Sequence, residues 1–145
     1  MSQANRATVE KVPFSDVPAN RRRGGEIRIG LSPRTVGSVS GFMGTVTLEP
    51  GDYVSEHYHP YSEEFLYLVR GNLVVTVDGV DIDLAPDEAV MVPIGARHRL
   101  VNHGSETALA VLHLSPLAPE PRLGHVDTEP QPNADEPTLH VGGSD

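Results

Sequence analysis

Short apolar or alternating runs, separated by turns, dominate the middle of the chain. Examples are EIRIG at 26–30, GNLVVTVDG at 71–79 and TALAVLHLSP at 107–116. The pair Asp78-Gly79 predicts a tight hairpin, and Pro86-Asp87 separates two further strands. An amphipathic pattern with a 3.6-residue period does not last three turns anywhere, so long helices are not expected. Eight or more short strands at close spacing predict an all-β sandwich or barrel, whose interior is lined by every second residue.

The two ends of the chain differ from its middle in charge and proline content. Residues 1–24 carry five basic and two acidic side chains, whereas residues 116–145 carry one basic and six acidic side chains with six of the thirteen prolines. We therefore expect an N-terminal arm over residues 1–24, one barrel domain over 25–116, and a Pro-rich acidic tail over 117–145. The tail would pack on the barrel or trail from it.

Composition excludes several classes of function. The chain has no cysteine, which excludes disulfides, thiolate zinc sites and cysteine nucleophiles. A net charge of −9 makes general nucleic-acid binding unfavourable. No apolar run approaches the roughly 20 residues of a membrane helix, and the N-terminal sequence lacks the apolar stretch of a signal peptide. We expect a cytoplasmic protein that binds neither nucleic acid nor membranes.

The chemistry of the chain centres on a pair of histidines, His57 and His59. Residues i and i+2 of a strand face the same side, so both imidazoles can reach one cation. Glu64 opens the next strand, and we expect that strand to lie antiparallel beside the pair and to return the carboxylate to it. His98, in a later strand, would be delivered by closure of the barrel. These ligands suit Zn, Fe(II), Mn, Ni or Cu, and ligand type alone does not choose among them.

His113 is a further candidate because it interrupts the apolar strand ALAVLHLSP. An outward His113 would be a surface residue. An inward one would need a partner, since a buried imidazole without one is costly, and it would be an additional metal ligand or the general acid/base. Other candidates for an apolar interior wall are Leu66, Leu68, Met91, Leu100 and Val111.

Two spaced motifs resemble those of the cupin superfamily. The first reads Gly51-x5-His57-x-His59-x4-Glu64-x6-Gly71. The second reads Pro93-x-Gly95-x2-His98-x3-Asn102. The glycine that usually opens the second motif is Asp87 here, at an expected turn. The resemblance implies a single-domain double-stranded β-helix, or jelly-roll barrel. It also implies one divalent metal ion bound by His57, His59, Glu64 and His98, with Zn²⁺ expected first and Fe²⁺, Mn²⁺ or Ni²⁺ as alternatives.

A narrower resemblance covers most of the chain, through RRRGGEIRIGLSPRTVGSVSGFMG, EHYHPYSEEFLYLVRG and HLSPLAPEPRLGHVDTE. These segments look like the small stand-alone cupin cyclases of bacterial aromatic polyketide pathways, of the resistomycin and tetracenomycin type. The resemblance implies intramolecular aldol condensation and aromatisation of a poly-β-ketone, with the metal as Lewis acid. From the residues themselves, we expect His98 and His113 to be the catalytic residues. An Fe(II) or Ni dioxygenase and a non-catalytic binding module are the alternatives.

The expected partners follow from the same resemblance. The substrate is a poly-β-ketone, either free or tethered to an acyl carrier protein. Arg21, Arg22 and Arg23 would offer such a carrier a local basic patch, or form a solvated turn. We also expect a homodimer, for which EIRIG would be a suitable edge strand.

Overall fold

The computed structural model describes residues 9–139 and 141, and it confirms the all-β prediction. The strands are β1 (Glu26–Leu31), β2 (Phe42–Leu48), β3 (Tyr53–Tyr58), β4 (Glu63–Arg70), β5 (Leu73–Val77), β6 (Val80–Leu84), β7 (Ala89–Val92), β8 (His98–Val101), β9 (Ala108–Ser115) and β10 (Val126–Asp127). The helical segments in the described ranges are α1 (Pro33–Val36) and two single 3-10 turns, Phe14–Asp16 and Pro121–Leu123. None of these helices is long and apolar enough to span a membrane.

The strands form two five-stranded antiparallel sheets that enclose one core. One sheet has the order β1-β2-β9-β4-β7, and the other has the order β10-β3-β8-β5-β6. Apart from the pairs β1–β2 and β5–β6, neighbours in each sheet are not consecutive in the sequence, so most strand pairs close long loops. The core between the sheets is aliphatic, with Leu48, Leu68 and Val75 fully buried.

Local sequence determines the turns as predicted. Val77 pairs with Val80 across the two-residue turn Asp78-Gly79, and both turn residues have positive φ, 48° and 82°. This conformation matches the right-handed twist of the flanking strands. Asp87 also lies in the left-handed region, at φ 71°, where its carboxylate accepts a hydrogen bond from the Tyr67 hydroxyl at 2.5 Å. Aspartate tolerates this region better than most residues, so it can stand at a turn that favours glycine.

Two of the five expected wall residues lie on the wrong face. Leu66, Leu68 and Leu100 are buried in the interior. Met91 is 45% exposed, and Val111 lies with it on the outer face of the first sheet. The error arises because strands β7 and β9 are apolar on both faces, so their hydrophobic pattern does not indicate which face points to the interior.

The chain enters β1 through a close backbone contact at Gly24. A Cβ atom on Gly24 would lie 1.8 Å from the carbonyl oxygen of Tyr53, and the φ of Gly24 is 109°. Only glycine fits this approach. The contact places Arg23 against β3, where the Arg23 carbonyl accepts a hydrogen bond from the Ser55 amide at 2.8 Å.

The described part of the tail, residues 117–139, lies against the barrel. Its strand β10 pairs with β3. Arg22 Nη1 donates to the carbonyl oxygens of Ala134 and Glu136 at 2.7 and 2.5 Å. Arg99 Nε donates to Glu129 Oε1 at 2.8 Å. The boundaries expected for the arm, barrel and tail stay a prediction, and residues 1–8, 140 and 142–145 of that division lie outside the described residues.

Candidate metal centre

Four side chains expected to bind a metal converge inside the barrel. One ligand atom from each of His57, His59, Glu64 and His98 lies within 4.8 Å of the others. His98 is fully buried, Glu64 is 5% exposed and His57 is 6% exposed. The His57 and His98 ring centroids are 4.4 Å apart, and those of His57 and His59 are 4.9 Å apart.

The two sheets contribute ligands from opposite sides of the interior. His57 lies on β3, directly across from His98 on β8. His59 follows the end of β3, so the i, i+2 spacing places both members of the pair on the inner face. Glu64 lies on β4, whose neighbours are β7 and β9. The expectation that β4 pairs with β3 is therefore wrong, and Glu64 reaches the histidines across the barrel.

Backbone carbonyls fix the orientation of all three imidazoles. Nδ1 of His57 lies 2.8 Å from the Ser55 oxygen, Nδ1 of His59 lies 2.9 Å from that of Gly124, and Nδ1 of His98 lies 3.0 Å from that of Ala96. A carbonyl oxygen can only accept, so each Nδ1 must carry a proton and donate it. In its neutral form each ring is left with a lone pair on Nε2, the atom that faces the centre of the cluster.

Acceptor atoms of the imidazoles and of the Glu64 carboxylate therefore lie close together at the centre of the cluster, an arrangement that suits a bound cation. Glu64 Oε1 lies 2.9 Å from His59 Nε2 and 3.0 Å from His98 Nε2. If the imidazoles are neutral, their nitrogen lone pairs face the lone pairs of the carboxylate oxygen at these distances. This arrangement is unfavourable unless a proton or a metal ion lies between the nitrogen and the oxygen. Three nitrogen donors and one carboxylate are the ligands that borderline divalent metals prefer. The four residues could bind such an ion.

Mutual contacts shift the protonation of these groups when no metal is bound. Burial alone would raise the pKa of Glu64, but the hydrogen bonds and charges of His59 and His98 outweigh it and hold that pKa well below its usual value. Burial would lower the pKa of His98, yet Glu64 raises it. Burial, followed by the charges of His98 and His59, holds the pKa of His57 well below its usual value, so its ring is neutral. A proton shared with Glu64 thus occupies the position where a metal would compete.

An apolar cavity opens beside the cluster. His57, His59 and Glu64 border it. Its aliphatic and aromatic walls come from both sheets, namely Ile27, Ile29, Phe42, Val46, Val54, Leu66, Leu100, Leu112 and Leu114. The C-terminal segment completes the wall with Pro121, Gly124, His125, Leu139 and Val141. The cavity therefore combines apolar walls with polar groups that converge at the histidines, the composition of a site for a small apolar molecule that carries oxygen atoms.

His113 does not take part in this arrangement. It is an exposed residue on β9, and its neighbours Leu112 and Leu114 are the ones that face the interior. Its ring lies 5.9 Å from that of Phe65 on the outer face. The expectation that His113 turns inward as a metal ligand or acid/base is therefore corrected.

Two residues at the cavity were not expected there. Arg23, for which the sequence leaves a basic patch or a solvated turn as alternatives, is 6% exposed and borders the cavity. His125 borders it too, in a tail that has no hydrophobic pattern. Burial, and then the charge of Arg23, lower the pKa of His125 to about 4, so its ring is uncharged at neutral pH. His140 lies outside the described residues.

Comparisons with known proteins identify the family of the domain that contains this site. Residues 44–115, which contain all four converging side chains, match the model of the cupin domain. The chain is 55% identical to the polyketide synthase CurC of Streptomyces cyaneus over 118 residues, which are 81% of this chain and 77% of that protein. It is 49% identical to the tetracenomycin polyketide synthase protein TcmJ of Streptomyces glaucescens over 137 residues, which are 94% of this chain and 92% of that protein.

A solved structure gives the same fold. The polyketide cyclase RemF from Streptomyces resistomycificus superposes with a TM-score of 0.68, covering 88% of this chain and 90% of its own, at 17% sequence identity. At that identity the likeness concerns the fold.

Proposed function

The chain belongs to the cupin family, and from that premise we propose that it is a metal-dependent polyketide cyclase. The reaction would be intramolecular aldol condensation and aromatisation of a poly-β-ketone. Its relatives are proteins of polyketide synthases, at identities near one half over most of both chains, which supports a role in a polyketide pathway. The observation that carries the proposal is a buried cluster of metal-ligand type at the edge of an apolar cavity.

His57, His59, Glu64 and His98 would hold one divalent ion, and we propose Zn²⁺. A bound divalent ion supplies Lewis acidity toward a carbonyl oxygen without a redox change. His98 is fully buried behind the other ligands and acts by holding the ion. His57, His59 and Glu64 border the cavity, so their side of the cluster is the one that a substrate oxygen would meet.

The cavity walls would fold the polyketone and exclude water. Leu66, Leu100 and Leu112 face the interior from three strands of the two sheets. Confinement brings a nucleophilic methylene near an electrophilic carbonyl, and water exclusion strengthens electrostatic interactions inside. His125 borders the same space, but a ring whose pKa is lowered to about 4 is a weak base at neutral pH, so the role first given to His113 does not pass to it.

The decisive experiment follows product and oxygen together. Zinc-loaded protein is supplied with a linear poly-β-ketone in air and under strict anaerobiosis. We expect equal formation of cyclised product in both and none above background with metal-free protein. Stoichiometric oxygen uptake would assign the protein to the dioxygenases, and binding without conversion would make it a binding module. Presenting the polyketone free and on an acyl carrier protein tests which form is the substrate.

We also propose that the protein acts in the cytoplasm as a homodimer. β1 is an edge strand of its sheet, and Asn20 bridges it only at Ile27. A second β1 could pair with the rest of that edge. Analytical ultracentrifugation at micromolar concentration tests this, since a monomer would contradict it. The basic patch is not part of the proposal, because Arg22 and Arg23 contact the tail.

A further inference from the structure

Arg23 presents an unusual combination of burial and missing hydrogen bonds. Its side chain borders the apolar cavity, and the residue is 6% exposed. Nε donates to Asp127 Oδ1 at 3.0 Å. Nη2 is buried and has no hydrogen-bond partner among the described residues; within them, only the Ser55 hydroxyl shares that condition.

Backbone contacts on either side of the Arg23–Gly24 peptide fix the position of Arg23 in the fold. The Arg23 carbonyl is tied to the Ser55 amide, and the close approach of Gly24 to Tyr53 holds the chain against β3. Asp127, on β10, pairs with His57 of the proposed metal centre in the strand register. The backbone contacts of Arg23 and its ion pair with Asp127 therefore both hold the guanidinium next to β3, the strand that carries His57.

The free donors are energetically significant. A guanidinium has five N–H donors, and a buried charged group with unmet hydrogen bonds is costly. Burial lowers the pKa of Arg23, and the ion pair with Asp127 offsets this only in part. An oxygen atom that accepts from Nη2, above all an anionic one, would supply the missing partner.

We propose that Arg23 is a substrate-binding residue whose Nη2–H groups bind an enolate oxygen of a 1,3-diketone unit in the cavity. The identity of this ligand rests on the proposed function. The cavity then recognises oxygen at two places, the metal centre and the guanidinium held beside the ligand-bearing strand β3. Arg23 would thus favour the enolate form of the bound unit over the neutral diketone, and it would fix which part of the chain lies at the metal.

A chromophoric 1,3-diketone, 1-phenylbutane-1,3-dione, provides the probe. Its affinity and the fraction bound as enolate are measured by absorbance for metal-free and zinc-loaded protein. Hydrogen bonds to charged groups imply about 10- to 100-fold weaker binding for Arg23→Met, with a smaller enolate fraction at the same pH. Arg23→Lys keeps the charge and the pairing with Asp127 but lacks the second planar nitrogen. It should fold if Arg23→Met does not, and should still bind the probe more weakly than the wild type.

Two variants control for the second role of Arg23, which is to anchor the tail. Asp127→Asn removes the ion pair but leaves the guanidinium at the cavity. Arg99→Met removes a comparable tail contact, with Glu129, at a distance from the cavity. We expect both to bind the probe within about threefold of wild type. Equal losses in Asp127→Asn and Arg23→Met would show that Arg23 only anchors the tail and would overturn the inference, as would wild-type affinity in Arg23→Met.

The probe experiment separates this inference from the proposed function. Binding that depends on Arg23 in a protein that forms no cyclised product would refute the cyclase proposal alone. If the protein forms cyclised product but its affinity for the probe is the same in wild type and Arg23→Met, the inference alone would be refuted. A wild-type protein that does not bind the probe would refute the inference whatever its activity.

Discussion

Replacing Glu64 by glutamine should destabilise the metal-free protein and should also remove most of the stability that a bound metal adds. In the metal-free protein the Glu64 oxygen faces His59 and His98 Nε2 at 2.9 and 3.0 Å, an arrangement that needs a shared proton. A glutamine amide carries no charge and can pair with only one of these nitrogens, so the metal-free Glu64→Gln variant should lose about 1–3 kcal/mol of its free energy of unfolding at neutral pH. The metal-bound protein loses its one anionic ligand.

The size of the effect follows from linkage. Zinc at 1,000 times its Kd adds about 4 kcal/mol to the free energy of unfolding. Changes around metal ligands typically weaken affinity 10- to 100-fold, so loss of a direct ligand should weaken it at least about 100-fold, which removes about 2.7 kcal/mol. For a chain of this length the zinc-induced rise in Tm should shrink by roughly 10 °C.

Thermal unfolding with and without zinc measures both effects, and Glu63→Gln is the matched control. Glu63 makes the same change of charge one position earlier on β4, is only partly buried, and is not one of the four converging residues. Its zinc response should equal that of wild type. A full zinc response in Glu64→Gln would refute the ligand assignment. A metal-free Glu64→Gln protein as stable as wild type would refute the stabilising contact of Glu64 with His59 and His98.

Three further predictions concern histidines. Zinc affinity, measured by chelator competition, should fall as the pH drops, beginning at a higher pH than an ordinary imidazole would give, because Glu64 raises the pKa of His98 and a proton then competes for Nε2. His125→Gln should leave zinc content unchanged and change the cyclisation rate by less than about tenfold, because a ring whose pKa is lowered to about 4 is a weak base; a loss on the order of 10²-fold would instead assign His125 the role of general base. His113→Ala should change neither rate nor zinc content, and a large loss of either would contradict its outward position.

Local patterns predicted the parts of this fold that depend on near neighbours. The turn at Asp78-Gly79 and the same-face placement of His57 and His59 depend on backbone geometry over two residues. The position of Glu64 depends on sheet order, which alternation does not encode. The sequence places β4 next to β3, whereas the structure places these two strands in opposite sheets.

The errors on β9 and in the tail have separate physical causes. His113 stands in a strand whose outer face is also apolar beside Phe65, so no polar alternation marked the inside. The tail is held largely through ion pairs and backbone carbonyls, as between Arg22 and Glu136. Such contacts leave no hydrophobic period in the sequence, so the sequence did not predict that Arg23 and His125 border the cavity.

The charges around the cavity bear on how an acidic protein could attract an anionic substrate. The chain carries a net charge of −9, and Arg23 forms an ion pair with Asp127. A divalent ion bound with Glu64 would nevertheless give the metal centre a net charge of +1. Surface charges are screened beyond about 8 Å at physiological ionic strength, whereas groups inside an apolar cavity are screened far less. An enolate at the cavity would therefore respond mainly to the guanidinium and the metal centre. Recognition of the substrate then requires no basic surface patch, and raising the salt concentration should weaken probe binding only slightly.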